Sequence, residues 1–131
     1  CPMSGRCLES AIIYKATVSS TDGEKFYIGA TENSFKIRYA GHKESLAKRS
    51  KSTATNLSVY VWHLIDRSLE YSIKWDIVKQ SSPYRCGLRS CDLCLTEKLI
   101  ILNSDPSICI NKNSDLMQKC RHSMKFKLVK C

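Results

Sequence analysis

The stretch Lys25–Lys43, "KFYIGATENSFKIRYAGHK", decides how the rest of the chain is read. It opens as a strand, because Phe26, Tyr27 and Ile28 suit a pleated, half-buried surface. Gly29 follows, and a glycine near a strand end lets another backbone or a ligand approach closely. From Asn33 to Arg49 the chain reads as a helix, with Asn33 or Ser34 as its cap. On that helix Arg38 and His42 are i and i+4, so they share one face.

Upstream, "AIIYKATV" (Ala11–Val18) is rich in β-branched and aromatic residues and reads as a second strand. Asp22 and Gly23 mark a turn, so the two strands form a hairpin. With the turn centred on that pair, Tyr14 falls opposite roughly residue 31. Tyr14, Tyr27, Arg38 and His42 then gather at one edge of the sheet. The same pattern also fits two packed tyrosines beside a solvated basic helix.

Downstream, "AKRSKSTATN" (Ala47–Asn56) is loop-like. A second helix spans Asn56–Asp66, with Leu57, Tyr60, Val61 and Leu64 on one face. His63 reads as a polar-face residue. In "YSIKWDIVK" Ile73, Trp75 and Ile77 alternate with polar residues, the mark of a half-buried strand. Cys91–Leu102 reads as a third helix, broken by Pro106 and its neighbours. A short helix is expected through residues 115–122. The order is strand, strand, helix, helix, strand, helix. It predicts an α+β fold, a small antiparallel three-stranded sheet flanked by helices, in one domain over residues 1–131. The chain begins at Cys1 and reads as a fragment of a longer protein.

With 21 Lys+Arg against 12 Asp+Glu the formal net charge is +9 and the pI about 9.2. Such a surface favours a polyanionic partner, nucleic acid above all, because each phosphate contact releases counterions. The loop Lys48–Lys51 and the tail Lys119–Lys130 carry much of the excess and read as DNA-backbone contacts. No apolar run approaches the roughly 20 residues that span a bilayer, and no membrane partner is expected.

Eight cysteines allow a secreted disulfide framework or metal ligation. The spacing favours metal: C-x2-C at Cys91 and Cys94, C-x-H at Cys120 and His122, and C-x5-C at Cys1 and Cys7. Either Cys1/Cys7 or Cys120/His122 could complete a structural zinc site with Cys91/Cys94. Cys86, Cys109 and Cys131 have no evident partner and read as small buried residues. Glu97 is the one acidic residue in "LCLTEKLIIL", either facing solvent or buried for function. A carboxylate near an arginine and a tyrosine could hold Mg2+, a hard cation that takes oxygen ligands.

Ile12-Ile13-Tyr14, Tyr27-Ile28-Gly29, Arg38, Glu97 and Asn111, in that order, resemble the GIY-YIG endonuclease family over nearly the whole chain. More narrowly, "CPMSGRC", "SPYRCGLRSCDLCLTEK" and "QKCRHSMKF" resemble endonuclease domains attached to reverse transcriptases of Penelope-like and related eukaryotic retroelements. The resemblance implies the GIY-YIG nuclease fold and a Mg2+- or Mn2+-dependent DNA nickase. In it Glu97 binds the metal, and Tyr14 sits where water is activated, helped by His42 or Tyr27. Arg38 stabilises charge on the phosphate, and Asn111 anchors the site, with Asn113 as its rival. It favours Cys1 and Cys7 as zinc ligands. It also implies a linked reverse transcriptase, a nuclear location, and cutting of target DNA to prime reverse transcription at insertion of the retrotransposon. The chain departs from the motif at Ile12, where the family has glycine. That feature supports a second reading, a zinc-bearing DNA-binding module with weakened catalysis.

Overall fold

The computed structural model describes residues 1–82, 91–117 and 120. After a short 3-10 turn at Arg6–Leu8, the elements are β1 (Ile12–Ser20), β2 (Gly23–Thr31), α1 (Phe35–Ala47), α2 (Asn56–Asp66), β3 (Tyr71–Gln80), α3 (Asp92–Leu102) and α4 (Asn113–Met117). The three strands form one antiparallel sheet in the order β2-β1-β3. The expected α+β architecture, a small sheet flanked by helices, is what is observed.

β1 is central because it can be buried on both sides. Ile12, Tyr14, Ala16 and Val18 alternate onto one face, where Phe35 of α1 and Leu57, Val61 and Leu64 of α2 cover them. Ile13 points to the other face and packs with Ile28, Leu93 and Ile101, under α3. α2 starts where expected for a local reason. Thr55 caps it, its hydroxyl accepting from Ser58 N at 3.1 Å while Ser58 Oγ accepts from Thr55 N at 3.0 Å. α1 stops at Ala47, two residues short of expectation, because Lys48 turns extended before a 3-10 turn at Arg49–Lys51. Tyr60 is only half-buried, whereas its expected companions Leu57, Val61 and Leu64 are fully buried.

The hairpin register differs from expectation. Tyr14 lies opposite Gly29, not residue 31, because the link is Thr21 and Asp22 alone and Gly23 already pairs with Ser20. Gly23 takes φ 102°, which a glycine supplies without strain. Across β1–β3, Ile13 faces Lys79 but Tyr14 faces Ile77, so a bulge falls beside Tyr14.

β2 is an edge strand, and its open side is closed by the segment after α3. Phe26 N donates to Ile108 O at 2.9 Å, and Ile110 N donates to Phe26 O at 2.7 Å. One pair further on, the Asn111 carboxamide does a strand's work. Its Oδ1 accepts from Ile28 N at 2.8 Å and its Nδ2 donates to Ile28 O at 2.9 Å. At Phe26 and Ile28 the edge thus has its backbone groups paired rather than offered to another chain.

Candidate functional site

The Tyr14–Gly29 pairing has a steric consequence. A Cβ placed on Gly29 would lie 2.8 Å from Tyr14 Cε2 and closer still to Cζ and Oη. Only a glycine lets the Tyr14 ring lie across the edge strand. The ring is fully buried, with Phe35 at 5.2 Å and Trp75 at 6.0 Å between centroids. Its hydroxyl reaches two groups of α1. Arg38 Nε donates to Tyr14 Oη at 3.1 Å, and His42 Nε2 lies 2.6 Å from the same oxygen. Tyr27 completes the cluster, its ring 6.0 Å from that of His42.

Burial sets the proton positions. It pushes the His42 imidazole down to about 3, and the Arg38 charge pushes the same way. His42 is therefore neutral at ordinary pH, and because Arg38 can only donate to Tyr14 Oη, His42 Nε2 is the atom left to accept from the Tyr14 O–H. Burial pushes the Tyr14 phenol up to about 12, against the opposing pull of the Arg38 guanidinium. Tyr27 is raised further, again by burial first. Burial alone would lower Arg38, but the phenols of Tyr14 and Tyr27 outweigh it and its pKa is raised. The result is a neutral chain, Tyr14 to His42, with a fixed cation on the phenol oxygen.

Glu97 sits in the middle of α3, half-buried, where α3 packs on β2. Burial pushes its carboxyl up to about 7. The Asp115 charge adds to that, while Arg38 and Lys98 oppose it. Glu97 and Arg38 therefore feel each other across the site, although α1 and α3 lie on opposite faces of the sheet. Tyr14, Tyr27, Arg38 and His42 come together near the Tyr27–Gly29 end of β2, and Asn111 hydrogen-bonds Ile28 there, whereas Glu97 lies on α3 over the other face, in electrostatic range of Arg38 and both phenols. Ile12 lies two residues from Tyr14 on the same face, wholly in the core, and the Tyr14 hydroxyl keeps both its partners. Asn113 opens α4 and its side chain is outside what is described.

Sequence reasoning missed Asp115. Its Oδ2 accepts from Asn56 Nδ2 at 2.7 Å, from Asn111 Nδ2 at 3.1 Å and from Lys112 N at 3.1 Å. It ties α2 to the segment that closes β2, and it fixes which way the Asn111 carboxamide faces. The one local signal was its i+4 spacing from Asn111.

The cysteines divide by sheet face. Cys91 and Cys94 bracket the first turn of α3, and Cys120 joins them, with all three Sγ atoms within 4.8 Å of one another. Four thiolates at about 2.3 Å from a tetrahedral ion would lie about 3.8 Å apart, so this cluster could hold a metal such as zinc with little movement. Burial pushes the Cys91 and Cys94 thiols up, which disfavours thiolates unless a cation is present. His122, Cys86 and Cys131 lie outside the described residues, as does the tail from 121. Cys1 and Cys7 are not ligands here. They form a disulfide with Cα atoms 5.9 Å apart. Cys7 packs on the Tyr14 face of the sheet and Cys91 on the Ile13 face, so β1 stands between the two pairs. Cys109 is half-buried and its thiol lies 3.5 Å from Asn111 Oδ1. His63 is exposed, as expected.

No helix among the described residues is long and apolar enough to cross a membrane. No family model, curated protein or solved structure matches this chain.

Proposed function

We propose that this chain is a DNA endonuclease domain that hydrolyses one phosphodiester bond at a time, as its resemblance to GIY-YIG nucleases implies. The observation that carries the reading is the buried Arg38–Tyr14–His42 chain with the Glu97 carboxyl within electrostatic reach. Neutral His42 hydrogen-bonds the Tyr14 hydroxyl and orients its oxygen, which would sit where the attacking water is held and activated. Arg38 lies on that oxygen and stabilises the charge that develops on it and on the phosphate. Glu97, as the carboxylate, would hold a Mg2+ or Mn2+ ion, which when bound neutralises phosphate charge and stabilises the leaving oxygen. The raised pKa of Glu97 fits a group waiting for a cation. Asn111 keeps the Tyr27–Gly29 edge in register.

Cys91, Cys94 and Cys120 would hold a structural zinc. Cys94 lies one turn before Glu97 on α3, so a clamp there fixes the helix that carries the carboxylate. The net charge of +9 supports DNA as substrate. The retroelement setting, with a linked reverse transcriptase, a nuclear location and cutting of target DNA for insertion, rests on the resemblance alone. Tyr14→Phe tests the reading, since it keeps the buried ring and removes only the hydroxyl. Nicking of supercoiled plasmid with Mg2+ should fall at least about a hundredfold with plasmid binding intact. Undiminished nicking by the variant would remove Tyr14 from the chemistry.

A further inference from the structure

α2 has two working faces. Leu57, Val61 and Leu64 enter the core. Asn56, Val59, Tyr60 and His63, at i, i+3, i+4 and i+7, line a groove of about 450 Å3 closed on its other side by the 106–112 segment. The groove runs up to Asn111, whose carboxamide holds Ile28 between Tyr27 and Gly29. Asn111 is thus the residue that the groove's lining shares with the candidate site.

Its chemistry is specific. The wall is apolar at Val59, Tyr60 and Ile110. The charge-bearing side chains that line it are all bases, Lys25, His63 and Lys112. Lys25 Nζ stands 5.5 Å from the Tyr60 ring centroid, a cation over an aromatic face. The Tyr60 hydroxyl itself is buried and has no hydrogen-bond partner among the described residues, so the ring and not the hydroxyl is what Tyr60 offers to the groove. Asp115 lies nearby, but its Oδ2 is occupied by Asn56, Asn111 and the Lys112 amide. An apolar wall beside lysines suits a flat base joined to a phosphate.

We propose that this groove is a subsite for an unpaired nucleotide flanking the bond to be cut, with its base on Val59, Tyr60 and Ile110 and its phosphate on Lys25 and Lys112. The inference rests on the reading that the chain acts on DNA. It goes further in requiring that the DNA beside the cut be single-stranded, or be opened for one nucleotide. The groove's size falls in the range of sites that enclose small ligands.

The test is fluorescence anisotropy with a labelled 12-mer of deoxythymidine and with the same strand made abasic, in buffer without added divalent ions. The parent should bind the thymidine strand about tenfold more tightly than the abasic one. Lys25→Ala/Lys112→Ala should weaken thymidine binding at least about tenfold and flatten the salt dependence by about 1.4 log units per log unit, two phosphate contacts' worth. Val59→Glu, at a position 40% exposed, places a carboxylate in the groove without disturbing the core and should abolish the preference for bases. Thermal melts of both variants should match the parent. Equal binding of the two strands by the parent, or unchanged binding by both variants, overturns the subsite. Plasmid nicking separates the two ideas. If the parent prefers bases but nicks nothing, the nuclease reading fails and the groove stands as a site for an unpaired nucleotide with no cut beside it.

Discussion

One buried group, His42, and one half-buried group, Glu97, should make the stability of this domain respond to pH in opposite directions. His42 titrates at about 3 in the fold against 6.5 ordinarily. Its contribution is fully present above pH 6.5 and is lost as pH falls towards 3, because the unfolded chain binds the proton first. Glu97 titrates at about 7 against 4.5. Its contribution is fully present below pH 4.5 and is lost as pH rises through 7. At about 1.4 kcal/mol per pH unit of difference, moving from pH 7.5 to 4.5 costs about 3 kcal/mol through His42 and returns about 3 kcal/mol through Glu97. The parent should therefore show little net change from this pair. Glu97→Gln removes the compensation and should lose about 3 kcal/mol over the same span relative to the parent. His42→Gln should gain about as much. Urea unfolding followed by the fluorescence of Trp62 and Trp75 reads this directly, as a midpoint shift of about 1 to 3 M. Comparing differences between variants cancels every titration they share, the thiols included. Parent and Glu97→Gln midpoints that run parallel from pH 7.5 to 4.5 would refute the claim that the fold raises the Glu97 carboxyl.

Gly29→Ala forces a Cβ into the Tyr14 ring. It should cost about 1 to 3 kcal/mol in urea unfolding and abolish plasmid nicking. Asn111→Ala leaves the Ile28 N–H and C=O unmatched at the sheet edge. Destabilisation of about 1 to 3 kcal/mol and faster hydrogen exchange at Ile28 are expected, with other β2 amides less affected. Chelation of zinc should lower the melting temperature and expose Cys91, Cys94 and Cys120 to alkylation, while Cys1 and Cys7 stay protected by their disulfide.

What the sequence showed and what it hid divide along a physical line. The hairpin, α2 and β3 follow from local alternation, periodicity and capping, and their limits match to within about two residues. The turn signal at Asp22 and Gly23 puts the hairpin register two residues out, because Gly23 is already paired and the loop is Thr21 and Asp22. The contacts that build the site are long-range. Tyr14 meets His42 across 28 residues, and Asn111 meets Ile28 across 83. A list of candidate types could include both residues but could not place Asp115, whose ties run to Asn56 and a main-chain amide. For the cysteines, C-x5-C suits a disulfide as well as a metal. In the fold Cys7 is bonded to Cys1 and packs with Ile12, while Cys91 packs with Ile13, and strand alternation puts those two isoleucines on opposite faces of the sheet.

Nicking of supercoiled plasmid with Mg2+, parent against Glu97→Gln, tests the central claim most directly. Glu97→Gln keeps the shape and loses the charge that would hold the ion. The account predicts nicking by the parent and none by the variant, with both binding the plasmid alike. Equal nicking by the two, or binding without nicking by either, would contradict it.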